Sequence, residues 1–215
     1  MFGAAEANPN TDPETQDVWD FVSQIRIEDQ QITREEMQGI ANVLLAGGRD
    51  MVIKLVTGLI WHLIQNPHDG EFLSSNRDWF NLTIAEMVRY LSPLPKMERV
   101  LGEDVAVPDA QHDTSKYVLL NFVSANYDRD VWPDADVVDI RRDRKPNLAF
   151  GLGRHSCLGR NITEYEVGAL LTVLLDSWPN WTFDGEPDIA WAADQDKDGN
   201  VIRYIDRFKK LYVRF

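Results

Sequence analysis

Apolar residues recur in this chain mainly at intervals of three and four, the period of helices that bury one face. Val18, Phe21, Val22 and Ile25 predict a short amphipathic helix beginning near Asp17. Thr33 followed by Glu36 is a capping-box signature, and a helical run continues from it to Asn66, where Pro67 stops it. A run of about 33 residues would measure roughly 50 Å if straight, long enough to cross a whole core. Pro67, Gly70 and the Ser-Ser-Asn cluster read as a loop, and a second helix lies near 84–91, ended by Pro93 and Pro95. Residues 97–107 and 116–122 are rich in β-formers and are expected to pair in a small sheet. Residues 132–145 form an irregular, charged meander, and a helix follows Gly159 to about Ser177. Val167, Leu170, Leu171, Leu174 and Leu175 lie on its buried stripe. Residues 208–215 look like a strand. The polar residues 1–16, with two prolines, predict a disordered lead, leaving 17–215 as one domain, mainly α with a small β portion.

Composition narrows the setting. The 215 residues carry a net charge of −13 and one cysteine, enough chain for a real core and no possibility of an internal disulfide. The N-terminus lacks the basic-then-apolar pattern of a signal peptide or anchor, and Arg49, Asp50 and Lys54 interrupt the longest apolar stretches. The expectation is a soluble, cytoplasmic protein without a membrane partner. Strong acidity also argues against nucleic acid as a partner.

The chemistry concentrates at 150–159, FGLGRHSCLG, where Cys157 sits in a glycine-punctuated loop running into a helix. A helix N-terminus and nearby cations favour a thiolate, which can ligate a metal, and glycines let a flat cofactor approach bare backbone. Phe150, Gly151, Gly153, His155, Cys157 and Gly159 fill every fixed position of a loop that resembles the haem-binding loop of the cytochrome P-450 monooxygenases. The resemblance covers the C-terminal half of that fold only, from about Asp17 onward, since family members are about twice as long.

The resemblance carries specific implications. Cys157 would be the axial ligand of haem b iron, a thiolate that favours O–O cleavage. Phe150 would pack on the sulfur side of the haem, and His155 would hydrogen-bond a propionate, as would Arg99, whose guanidinium suits a carboxylate. Glu86 and Arg89, three apart on one helix face, match the family's buried Glu-x-x-Arg pair, a structural feature. The third, cationic partner of that pair is expected in the meander, where Val137 stands at the matching place, so the triad looks incomplete.

Ala46, Gly47, Gly48, Arg49, Asp50 and Met51 match the segment that forms the family's dioxygen pocket. Ala46 and Gly47 would lie against the cofactor and oxygen, and Asp50 would join a proton relay. Met51 stands where the family usually has a threonine, which puts general-acid delivery in doubt and predicts weakly coupled turnover.

The implied reaction inserts one atom of O2 into a small organic substrate, a C–H hydroxylation. Electrons would come from NAD(P)H through a reductase and a ferredoxin or flavodoxin. Residues 94–97 and 203–205 would face substrate. Arg141, Arg142, Arg144, Lys145, Arg154 and Arg160 would form a cationic patch for an acidic redox partner. A non-catalytic haem-binding sensor, or a remnant that needs a missing N-terminal half, are the alternatives. Asp194, Asp196, Asp198 and Gly199 imitate a calcium loop but place Ile205 where the twelfth-position glutamate belongs, so an Asp-Gly turn is expected. His62, His68 and His112 show no metal spacing and read as surface residues.

Overall fold

The computed structural model describes residues 3–102, 105, 117–143, 145–176 and 181–214. The expectations for 103–104, 106–107, Lys116, His112, Arg144, Ser177 and Phe215 lie outside the described residues. The chain divides into two compact units, 1–50 and 51–215.

The first unit holds α1 (Gly3–Ala7), α2 (Val18–Ser23), a two-residue ribbon of β1 (Arg26–Ile27) and β2 (Gln30–Gln31), and α3 (Arg34–Gly47). Asp17 caps α2 and Thr33 caps α3, each with a reciprocal bond from the third helical residue, Asp20 or Glu36. Val22, Ile32, Met37 and Ala41 bury together as the core of this unit. The lead expected to be disordered instead forms α1 and a turn at 12–16. Asp12 holds that turn by accepting from the amide of Glu14 at 3.0 Å, and Gln24 Nε2 donates to the carbonyl of Asn10 at 3.0 Å.

The single long helix does not form. Helical bonding stops at Gly48 and Arg49 and restarts in α4 (Asp50–Gln65). Two adjacent glycines cost a helix about 2 kcal/mol relative to alanine, which is enough to favour ending α3 there. Past α4, Pro67 does not open a loop: it occupies the first turn of α5 (Pro67–Ser75), where its missing N–H is no loss. A single 3-10 turn then leads into α6 (Phe80–Leu91), four residues earlier than the apolar spacing predicts.

β3 (Lys96–Val100) and β4 (Tyr117–Asn121) pair antiparallel, Lys96 opposite Asn121, as expected. After α7 (Phe122–Asn126) and the meander comes α8 (Arg160–Asp176), with Val167, Leu171 and Leu175 buried at intervals of four and Leu170 and Leu174 half-buried. Two further ribbons close the unit: β5 (Thr182–Phe183) with β8 (Val213–Arg214), and the long hairpin of β6 (Asp188–Gln195) with β7 (Val201–Lys210). The hairpin turns at 196–200, where Gly199 has φ +83° and the amide of Asp196 donates to the carbonyl of Asn200. The Asp-Gly turn is therefore as expected. Residues 203–205, expected to face substrate, lie mid-strand in β7, where Tyr204 and Ile205 are buried core residues.

The core of the second unit joins Leu55, Leu59 and Leu63 of α4 with Ile84, Met87 and Leu91 of α6, Leu171 of α8 and Ile205 of β7. Gly58 fixes the approach of α4 to α6, since a Cβ there would come within 2.4 Å of Leu91 Cδ1. His62 is buried, not on the surface: its Nε2 lies 2.8 Å from Asp69 Oδ2 of α5, and Asn66 meets its Nδ1 at 3.2 Å. His68 is exposed. Among the described residues no helix is long and apolar enough to cross a membrane.

Candidate functional site

The thiol loop closes on itself. The amide of Cys157 donates to the carbonyl of Phe150 at 2.8 Å, Gly151 donates to Leu148, and Ser156 donates to Gly153. Gly151 and Gly153 hold φ +66° and +72°, a left-handed backbone that side chains disfavour. Gly159 lies against the sulfur, since a Cβ built there would sit 3.7 Å from Cys157 Sγ. Five of the six loop residues singled out from the sequence thus have a local reason to be where they are. His155 is exposed, in a single 3-10 turn.

Cys157 is a free, exposed thiol. Beside it Leu158 is 96% exposed and Leu152 78%, and Ile162 and Tyr165 follow exposed on α8. A soft sulfur donor bordered by bare apolar side chains and glycine backbone suits the flat face of a metal-bearing macrocycle, and the residues present therefore fit that group.

Behind the loop lies a polar network without a gap. Arg89 is wholly buried and forks onto Glu86, Nε to Oε2 at 2.9 Å and one terminal nitrogen to Oε1 at 2.7 Å. Its other donors reach the carbonyls of Asn126, Ala135 and Val137. The expectation of an incomplete triad is corrected here. Arg142 supplies the third, cationic member, its Nε 3.1 Å from Glu86 Oε1, and it also donates to the carbonyls of Pro133, Asp134 and Val137. Val137 contributes its carbonyl alone. Glu86 accepts as well from the amide of Asp139, so both of its oxygens are occupied.

Asn126 couples this network to the loop. Its Oδ1 accepts from the amide of Leu148, and its Nδ2 donates to Ser92 Oγ, both within 2.9 Å. Ser92 ends α6 with φ +38°, an unfavourable angle for serine, offset by its buried bonds to Asn126 and to the carbonyl of Arg89. Asn147 adds a bond to the carbonyl of Ala85. Sequence reasoning missed Ser92, Asn126 and Asn147, and assigned Arg142 to a docking patch instead of to Glu86. The asparagines at the two ends of α7 and the Arg141–Arg142 pair were the available signals. Nearby, burial pushes the Tyr127 phenol well above its usual range, so it stays a donor to the carbonyl of Tyr90.

The remaining expected residues are dispersed. Arg99 extends along β3 and donates to the carbonyl of Glu98. Ala46 and Gly47 end α3, in the first unit, and nothing lies within 4 Å of a Cβ built on Gly47. Asp50 is exposed and faces its neighbour Arg49 at 3.8 Å, and Met51 is half-buried in α4. The cationic patch is also smaller than expected: Arg142 is taken up by Glu86, and Arg141 stacks on Phe72 at 4.2 Å. Arg154 and Lys145 remain exposed.

Comparison with known proteins gives these features a frame. The biotin biosynthesis cytochrome P450 of Bacillus subtilis is 29% identical over 71% of this chain and 39% of its own length. Linalool 8-monooxygenase of Pseudomonas putida is 27% identical over 81% of this chain and 42% of its own. Among solved structures, a carbohydrate active P450 superposes with a TM-score of 0.82 at 26% identity, covering 99% of this chain and 53% of that one. The chain thus spans about two fifths of the length of these curated relatives and about half of that structure. The cytochrome P450 family model matches residues 75–184. That match begins ahead of the buried Glu86–Arg89 pair and ends beyond the thiol loop, so both features singled out from the sequence fall inside it, and the chain belongs to the cytochrome P450 family.

Proposed function

We propose that this chain is the haem-bearing portion of a monooxygenase that hydroxylates a C–H bond of a small organic substrate. Members of the family bind haem b, iron protoporphyrin IX, which when bound supplies the chemistry of O2 reduction. The observation that carries the reading is the self-closed loop around an exposed Cys157 thiol, with Gly159 against the sulfur.

Cys157 would supply the thiolate that holds the iron, kept in place by the bond from its amide to the carbonyl of Phe150. Phe150 would cover the sulfur, and Leu152 and Leu158 would exclude water from it. His155 and Arg99 would hold the propionates. Glu86, Arg89 and Arg142 act at a distance, fixing the meander and, through Asn126, the start of the loop. Ala46 and Gly47 would border the oxygen site. Met51 offers no side-chain hydroxyl there, so proton delivery would depend on a water relayed by Asp50 or on a substrate hydroxyl, and reducing equivalents would leak to peroxide. The exposed Arg154 and Lys145 suit an acidic electron donor, a ferredoxin or flavodoxin fed by an NAD(P)H reductase, in a cytoplasmic setting.

Met51 favours a second reading, a haem-binding protein that does not turn over. One experiment tests both. The reduced, haem-loaded chain is treated with CO and its difference spectrum recorded with and without a substrate panel. A thiolate-type Soret band that disappears in Cys157→Ala supports haem–thiolate binding, and an unchanged band in that variant refutes it. Product formation then separates enzyme from sensor.

A further inference from the structure

Resting on the haem–thiolate reading, we propose that Arg160 is a positioning residue for the Cys157 ligand, holding a fixed positive charge beside the thiolate that raises the reduction potential of the bound haem. Arg160 is the first residue of α8, three positions past the cysteine. Its side chain does not simply run out to solvent. The guanidinium lies over the ring of Phe150, 4.9 Å from the centroid, and Nε is buried with no hydrogen-bond partner. The same Phe150 receives the amide of Cys157 on its carbonyl. The residue that seats the cation and the residue that carries the sulfur are therefore bonded to one another.

Two other arginines of this unit, one buried and one half-buried, end on oxygen. Arg89 and Arg142 use Glu86 and a set of carbonyls. Arg160 instead keeps a donor out of water and unmatched, which is unfavourable unless something anionic is to be met there. The anion that the loop itself supplies is the thiolate. A guanidinium stays charged at every accessible pH, and the N-terminus of α8 adds partial charge of the same sign. Reduction of the haem adds one electron, and a nearby fixed cation stabilises the more negative, reduced state.

The test is the ferric/ferrous midpoint of the haem-loaded full chain, by spectroelectrochemical titration, for the wild type, Arg160→Gln, Arg160→Lys and Arg154→Gln. Arg160→Gln is expected to lower the ferrous-to-ferric ratio at fixed poise about tenfold, which for a one-electron couple is about 59 mV. Arg160→Lys keeps the charge and should retain most of the potential. Arg154→Gln removes an exposed charge of the same loop and should change it much less. An unchanged potential in Arg160→Gln, an equal drop in the lysine variant, or an equal drop in Arg154→Gln overturns the proposal. If the glutamine variant takes up no haem, the lysine variant decides: a ratio within a few-fold of wild type supports the proposal and a tenfold fall overturns it. Wild-type chain that loads without a thiolate-type spectrum defeats the functional reading itself, and is recognised before any variant is made.

Discussion

Lys54 offers the sharpest test of the energetics of this fold. It sits on α4 with 8% of its surface exposed, and its Nζ is buried without a hydrogen-bond partner. Burial pushes the amine down to about 8 from its ordinary 10.5, against an opposing attraction from Asp206. Below pH 8 both folded and unfolded chains carry the charge, so the folded state bears the full desolvation penalty. Between 8 and 10.5 the unfolded chain holds a proton that the folded chain has released, and stability therefore rises with pH across that window. The gap corresponds to about 3 kcal/mol. Lys54→Met keeps the length of the side chain and removes the charge, so it should stabilise the protein by about 2–3 kcal/mol at pH 7, shrinking to about 1 kcal/mol by pH 10. Urea unfolding followed by tryptophan fluorescence at several pH values would measure this, with Trp61 on the same helix, packed near Phe208, as a reporter. A methionine variant no more stable than wild type at pH 7, or a gain that persists undiminished at pH 10, would refute the reasoning.

Three further perturbations follow from the packing and the site. Arg142→Ala removes one cation from Glu86 and leaves the carbonyls of Pro133 and Asp134 without that donor, so it should cost about 2–4 kcal/mol in chemical denaturation, whereas Arg141→Ala should cost less than about 1 kcal/mol. Gly58→Ala forces a methyl onto the fully buried Leu91 and should cost about 1–3 kcal/mol, visible as a lower urea midpoint; a neutral result would mean that α4 and α6 can separate freely. Met51→Thr should raise product formed per NAD(P)H consumed and lower peroxide release, and an unchanged ratio would remove Met51 from the account of coupling.

What the sequence made legible was whatever is local. The thiol loop is ten consecutive residues whose glycines and amide bonds act on one another, and Glu86 and Arg89 face each other because they are three apart on one helix. The capping boxes at Asp17 and Thr33 are equally short-range, though only the second was read from the sequence. What stayed hidden depends on distant chain. Arg142 meets Glu86 at a sequence separation of 56. His62 looked like a surface residue because its partner, Asp69, belongs to the next helix, one that Pro67 seemed to forbid. β6 was missed because its pairing with β7 is a property of two strands, and only the turn between them carries a local signal. The break after Gly47 was misjudged for another reason: the glycine pair was matched to a pocket-forming segment within one continuous helix.

The way in which Arg89 and Arg142 hold the meander bears on how freely this segment can change. Their bonds there end on the backbone oxygens of Asn126, Pro133, Asp134, Ala135 and Val137. Every residue type carries such an oxygen, so an exposed position among them such as Val137 is open to mutational drift while the two arginines are not. Order here is imposed from outside on a chain whose own side chains need not encode it, and related proteins can share the path of this segment while sharing few of its letters.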